Sequence, residues 1–295
     1  MKAIVAFGGL GNVMFLYALV CAYREKGIKS FLFMSDTNLA HHSSEFEKIF
    51  PNASQWRGLN FMERMCVMIC KQLRKIHYKK YRIPHKFLFF PFGVSRYDHF
   101  SPMTFFPQVF DNLNKNEYLI GMFQSYKYFE DCKDAIYKDF QFSETLLSDA
   151  TQKMAYRMGG GNSVSLHVRR GDYMNSNYYH ILGKVCDIDY YQRAIEEIKK
   201  RVSNPKFFVF SDDKEYVAKN LLIEDAVYVD FNYGKDSWQD MYLMTQCHHH
   251  IIANSTFSWW GAWLGQHKDK IVVAPSRWFA SLKYDEIIPS EWIRV

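Results

Sequence analysis

The chain has 295 residues, a formal charge of +6 from 37 Lys and Arg against 31 Asp and Glu, and 48% hydrophobic with 23% charged residues. That balance excludes a disordered or collagen-like chain, and the length favours two domains of moderate size. The apolar run after Met1 stops early at Gly8-Gly9, and no window approaches the ~20 apolar residues of a membrane span, so neither a secretion leader nor a spanning helix is expected.

The 6 cysteines, at 21, 66, 70, 132, 186 and 247, are scattered without a paired framework, which suits reduced thiols in a cytoplasmic protein. Cys66 and Cys70 lie one helical turn apart but lack histidines at zinc spacing, so no metal site is expected there. The aromatic share of 18% points first to an aromatic-rich core, with carbohydrate stacking as the second explanation.

In chain order, Ile4 to Phe7 reads as a strand, Gly8-Gly9-Leu10-Gly11-Asn12 as a tight turn, and the stretch from Val13 onward as a helix without a breaker until Gly27. Gly9 and Gly11 let backbone approach a ligand closely at a helix N-terminus. As a dinucleotide fingerprint the turn is a poor match, because Met14 occupies the third glycine position and Asp36 fits the ribose-binding acid badly; an NAD-dependent oxidoreductase is therefore kept only as an alternative.

From about residue 30 to 150 the pattern is irregular, broken by Pro84, Pro91, Pro102 and Pro107. Between Arg64 and Arg96 there is no acidic residue, and Met62, Met65, Cys66, Ile69, Leu73 and Ile76 recur at helical spacing, predicting an amphipathic helix with a cationic outer face. Such a face is either simply solvated or drawn to an anionic surface, such as the inner leaflet of a membrane or a charged glycolipid. Peripheral association at the inner membrane face is thus one expectation; no nucleic-acid-binding module is recognisable.

Gly159-Gly160-Gly161 is the clearest linker, placing domains at 1–158 and 159–295, with the last helix expected to pack back on the first domain. Beyond it the pattern turns regular. Strands at 164–168, 207–210, 227–229, 250–253 and 271–274 alternate with helices at 190–201, 214–222, 238–247 and 259–265, which implies a parallel sheet wrapped by helices. Open sheets of this kind bind ligands at the carboxyl ends of their strands. The loops there carry Arg169, Arg170 and Asp172, then Ser211-Asp212-Asp213, then Asn254-Ser255-Thr256-Phe257-Ser258 before Trp259, Trp260 and Trp263. Paired guanidiniums and hydroxyls at a helix start suit a phosphate, whereas carboxylates suit sugar hydroxyls or a purine edge, so the three loops together describe a nucleotide pocket. Taken singly, Asp213 and Ser258 could cap helices and the tryptophans could pack a core.

Two further patterns resemble metal sites. Asp187-Ile188-Asp189 has the Asp-x-Asp form, but Asp189 precedes a helix and is read as a cap; His248-His249-His250 would alternate across a strand and is read as packing.

Gly8-Gly9-Leu10-Gly11-Asn12-Val13-Met14-Phe15, His167-Val168-Arg169-Arg170-Gly171-Asp172, Phe210-Ser211-Asp212-Asp213 and Asn254-Ser255-Thr256-Phe257-Ser258-Trp259-Trp260-Gly261 occur in that order. In this the chain resembles, over almost its whole length, the bacterial alpha-1,2-fucosyltransferases of glycosyltransferase family 11. The resemblance implies an α/β fold of GT-B type, two Rossmann-like domains facing a cleft, with an acceptor-side N-terminal domain and a GDP-fucose-binding C-terminal domain. It implies inverting transfer of L-fucose from GDP-fucose to the 2-hydroxyl of a terminal β-galactose, on lactose, N-acetyllactosamine or a lipopolysaccharide-type glycan, in oligosaccharide or O-antigen biosynthesis. By the same resemblance Arg169 holds the β-phosphate, Arg170 supports that pocket, and His167 with Asp213, or Asp212 in its place, meets the guanine. Thr256 and Ser258 contact phosphate, with Asn254 and Ser255 in the same loop, and Asn12 faces the donor. Asp172 is either the base that takes the galactose proton or a brace for the arginines, with His180 and Asp187 as weaker candidates. No metal or cofactor is expected, the donor diphosphate being neutralised by basic groups. A related enzyme with another linkage or acceptor, and a non-catalytic nucleotide-sugar-binding protein, are the competing readings.

Overall fold

The structure, a computed structural model, describes residues 1–34, 45–54, 56–58, 87–89, 92–96, 103–111, 113–281 and 286–295. The chain divides into two compact units, Met1–Gln141 and Phe142–Val295, ahead of the glycine linker at 159–161. The reason lies in helix Asp149–Met158, whose Met154 and Met158 are buried against Phe208, Phe210, Leu243 and Met244 of the second unit's core.

In the first unit, β1 (Lys2–Ala6) is buried along its whole length, as a central strand of a parallel sheet must be. It is followed by helix Leu10–Glu25, buried from Leu10 to Tyr23 with only Asn12 partly open among them, so its sequence is apolar nearly all round. β2 (Ser30–Met34), β3 (Trp56–Gly58), β4 (Phe87–Phe89), β5 (Phe92–Arg96) and β6 (Glu117–Ile120) complete a sheet of order β3-β2-β1-β6-β5-β4, parallel except for the β4–β5 hairpin. The described part of the region that reads as irregular in sequence thus supplies short, aromatic-rich strands to this sheet. The amphipathic helix expected at 62–76, and most of the basic segment 64–96, lie outside the described residues.

The second unit contains β7 (Ser163–Val168), β8 (Lys206–Ser211), β9 (Val227–Val229), β10 (His249–Ile251), β11 (Val272–Ala274) and β12 (Ile293–Arg294), all parallel, in the order β12-β11-β10-β7-β8-β9. Alternation along β8 sends Phe207 and Val209 to one face and Phe208 and Phe210 to the other. The first pair packs with Tyr190, Ala194 and Ile198 of helix Ile188–Lys199, and the second with Leu243 and Met244 of helix Trp238–Gln246. The sheet is thus covered on both faces, a doubly wound arrangement. The last described element is the strand β12, paired with β11, where a closing helix was expected.

Candidate active site

The chain runs from β7 outward to β9 and then returns to the other side of β7 to lay down β10 through β12, so the strand order reverses between β7 and β10. A crevice opens at the carboxyl ends of strands flanking such a reversal, because their loops must diverge, and ligands bind there. The two flanking loops are the ones that carry Arg169-Arg170 and Asn254-Ser255. Tyr173 ties them together, its hydroxyl donating to the Asn254 carbonyl over 3.0 Å.

The arginine pair is not a bare cationic patch. Arg169 donates from one terminal nitrogen to Asp172 Oδ1 (2.7 Å) and from the other lies 2.8 Å from Asp212 Oδ2. Asp212 also accepts from the Arg170 backbone N–H through Oδ1 at 2.8 Å, which locks the loop to the end of β8. Arg170 Nε donates to Asp213 Oδ2 at 2.9 Å, and its guanidinium stacks 3.3 Å from the centroid of the Tyr216 ring. Asp213 meanwhile caps helix Lys214–Asn220, accepting from Tyr216 N at 3.1 Å. Both carboxylates are therefore engaged with arginines and backbone, a purpose the purine reading of Asp212 and Asp213 does not include. Gly171 is needed for this approach: a Cβ there would fall 2.6 Å from Asp212 Oδ2. Arg169 thus spends one N–H on a hydrogen bond to Asp172 and meets Asp212 as an ion pair, which leaves further N–H groups of its fork for a ligand.

His167, at the end of β7, is buried, stands 5.9 Å from the Phe257 ring, and its Nδ1 has no hydrogen-bond partner among the described residues. Burial, with the Arg169 charge adding to it, pushes its pKa down to about 3, so the ring is neutral at physiological pH and can offer one donor and one acceptor. The depressed value makes a stability prediction. Unfolded, the ring would take a proton below about pH 6.5; folded, it resists until about pH 3. Stability should therefore be complete above pH 6.5 and fall by up to ~1.4 kcal/mol per pH unit between those values, a slope that His167→Asn should flatten in urea titrations.

Helix Thr256–Leu264 begins three residues before the expected start at Trp259, with Ser255 as its N-cap and no side-chain cap bond. Thr256 thus opens the helix, whereas the Ser258 hydroxyl is buried and donates back to the Ser255 carbonyl at 3.4 Å, an inward bond rather than a phosphate-facing one. Asn254 is fixed by bonds from Nδ2 to the carbonyls of Leu182 (3.2 Å) and Trp278 (3.0 Å), and its buried Oδ1 has no partner among the described residues. The tryptophans pack one another and the core, Trp259 stacking on Trp263 at 6.0 Å.

One residue here was not singled out from the sequence. Asp240, in the first turn of helix Trp238–Gln246, lies at the same edge of the sheet, hydrogen-bonded to Asn232 Nδ2 at 2.8 Å. Burial pushes its carboxyl up to about 7. The signal in the sequence is faint: the one acid of this helix, between Gln239 and Met241.

In the first unit the order reverses between β1 and β6; at that point stand Asn12, in the first turn of helix Leu10–Glu25, and Gln124, beyond β6, whose Nε2 donates to Asn12 Oδ1 at 2.7 Å. Gly8 has φ +86°, and a Cβ there would meet Asn12 Nδ2 at 2.5 Å, so the glycine turn sets the position of Asn12. Gly9 is the N-cap of the following helix and Gly11 is buried within its first turn.

The metal-like patterns have other uses. The helix after Asp187-Ile188-Asp189 starts at Ile188, so Asp187, not Asp189, is the cap, accepting from Tyr190 N at 2.9 Å. His248 pairs with Asp269 at 2.7 Å, His249 Nδ1 accepts from Ile271 N, and His250 is buried against Ser165 Oγ at 2.8 Å. Among the described residues no group of three or more His, Cys, Asp or Glu could hold a metal ion. No helix among them is long and apolar enough to cross a membrane.

The family described as Glycosyl transferase family 11 matches residues 39–295. The chain is 32% identical to the O-antigen biosynthesis glycosyltransferase WbnK of Escherichia coli over 98% of either chain, and 36% identical to the alpha-1,2-colitosyltransferase of Escherichia coli over 60% of this chain and 61% of that one. Among solved structures, the fucosyltransferase NodZ from Bradyrhizobium shares the fold with a TM-score of 0.54 at 14% identity, over 88% of this chain and 90% of NodZ. With two units each built on a largely parallel sheet, the fold class is α/β of the GT-B type. Since the family match covers most of the sequence and a relative aligns along nearly its full length, the chain belongs to glycosyltransferase family 11.

Proposed function

We propose that the protein transfers L-fucose from GDP-fucose, with inversion, to the 2-hydroxyl of a terminal β-galactose on an oligosaccharide or O-antigen-type glycan. The observation that carries this is Arg169, held by Asp212 beside the start of helix Thr256–Leu264 at the strand-order reversal. As the fucosyl–oxygen bond breaks, the anomeric carbon gains positive character and the departing β-phosphate gains negative charge. A guanidinium and helix N–H groups already in place stabilise that charge more than the ground state. The motifs shared with bacterial alpha-1,2-fucosyltransferases support the fucosyl donor, and the relative named as an alpha-1,2-colitosyltransferase supports the linkage.

In this reading His167 and Asp240 hold the base of the nucleotide, Arg170 stiffens the loop through Asp213 and Tyr216, and no metal is needed to neutralise the diphosphate. Asp172, exposed and bonded to Arg169, orients that guanidinium. Asp172→Asn should then lower kcat by less than about tenfold, the scale of one exposed charge-assisted bond, and leave the acidic limb of the pH–rate profile in place. Loss of that limb would make Asp172 the base that takes the galactose proton. Contact of the basic segment 64–96 with a glycolipid-bearing membrane belongs to the same proposal.

The deciding experiment incubates the purified protein, in excess chelator, with GDP-fucose and a panel of β-galactosides including lactose, N-acetyllactosamine and O-antigen fragments, followed by linkage determination. An alpha-1,2-fucosylated product is expected. Loss of activity that manganese restores would overturn the metal-free mechanism, and GDP binding without transfer or hydrolysis would make this a binding protein. The colitosyltransferase relative favours one second reading, a GDP-colitose donor, and a parallel incubation with that donor separates the two.

A further inference from the structure

Beyond the Gly171–Met174 turn, residues 176–183 form a short helix, Ser176–Tyr178, that runs into a π-helical turn, Tyr179–Gly183. Isolated π turns are rare and concentrate at functional sites. The backbone of this one is firmly pinned. Asn254 Nδ2 donates to the Leu182 carbonyl at 3.2 Å and Ala280 N to the Ile181 carbonyl at 2.9 Å. Gly183 packs so closely that a Cβ would lie 2.6 Å from the Tyr173 carbonyl.

The side chains, by contrast, point outward: Tyr178 is 50%, Tyr179 40% and Ile181 43% exposed. Tyr179 is further ordered by His180, edge-on at 5.5 Å, and by the Lys184 ammonium 5.4 Å from its ring centre. A pinned backbone that holds two phenols and an isoleucine in water contributes little to folding, and clustered exposed apolar groups beside a reaction loop mark a binding surface.

We infer that this surface is the platform for the acceptor glycan, holding the sugar that precedes the reacting galactose. The inference rests on the transfer reaction proposed above. A pyranose has an apolar C–H face and a hydroxyl rim, which match a ring face and a phenolic hydroxyl. Because the platform hangs from Asn254 and Tyr173, groups of the two loops that flank the strand-order reversal, a sugar resting on it is placed relative to the donor phosphates with little loop-ordering cost.

The test compares wild type with the double variant Tyr178→Ala/Tyr179→Ala on methyl β-galactoside and on a trisaccharide ending in β-galactose. The expected result is a KM for the trisaccharide raised about tenfold, with less than about twofold change for methyl β-galactoside. The KM for GDP-fucose and its acceptor-independent hydrolysis should be unchanged, and Tyr178→Phe/Tyr179→Phe should recover much of the lost affinity. Equal KM shifts for the two acceptors, or none, overturn the platform; so does a changed oligomeric state without an acceptor effect, which would assign the patch to a second protein copy. If the double variant does not fold, Tyr178→Asn, at the most exposed of the three positions, carries the same comparison. Failure of wild type to fucosylate either acceptor would instead remove the parent reading, a distinct outcome.

Discussion

Arg169→Ala is expected to lower kcat by a factor on the order of 10² to 10³ while the protein stays folded, the loss seen when one fixed donor to a developing oxyanion is removed. The residue is placed for that effect. One terminal nitrogen is hydrogen-bonded to Asp172 and the other is ion-paired with Asp212, so the planar fork is oriented before any ligand arrives and need not reorganise during reaction. Replacement by alanine removes the cation and leaves both carboxylates facing a diphosphate, turning stabilisation into repulsion. Arg169→Lys should fall between: the charge survives, but an ammonium cannot span two carboxylates and a phosphate in one plane. Steady-state kinetics on GDP-fucose with a β-galactoside, alongside a thermal melt, checks the series. Turnover of Arg169→Ala within a few-fold of wild type, in a protein of normal melting temperature, would show that leaving-group charge is met elsewhere.

The second unit was legible because its strands from β7 to β11 are short apolar runs separated by helix-length stretches, and the regular alternation admits few topologies. Strand 227–229 falls where the pattern put it, the other expected strands shift by one or two residues at their ends, and only the two-residue β12 was not read. The start of helix Thr256–Leu264 was read late because Thr256-Phe257-Ser258 have weak helix preference, which packing of the following tryptophans overrides. The first unit was legible only in its opening strand, glycine turn and long helix. A strand as short as Trp56–Gly58 has no pattern of its own and exists through its register with β2. The site divides the same way. Which loops meet follows from strand order, so Arg169, Asp212 and Asn254 could be grouped in advance. Which carboxylate faces which arginine could not, since Arg170 finds its partners 42 and 43 residues away, through the placement of β8 beside β7.

That unforeseen pairing yields the second large effect. Asp212→Ala is expected to cost more than Asp172→Asn, although both acids touch Arg169. Asp212 is the more sheltered, with its side chain 27% exposed against 54% for Asp172, and it accepts from the Arg170 backbone N–H as well as pairing with Arg169. Its removal frees one side of the Arg169 fork and leaves the Arg170 N–H without its acceptor, a loss of about 1–3 kcal/mol in stability. A guanidinium held on one side only samples geometries away from the leaving oxygen, and displacements near 1 Å are enough to cost on the order of 10²-fold in rate. The effect should appear in kcat more than in the KM for GDP-fucose, since charge on the β-phosphate is greatest at the transition state. Gly171→Ala gives an independent route to the same end: its Cβ would meet Asp212 Oδ2 at 2.6 Å, pushing the carboxylate away while every charged group is retained. Matching losses in both variants would locate the effect in the position of Arg169; full activity in Asp212→Ala would mean that Asp172 and the loop hold the fork without it.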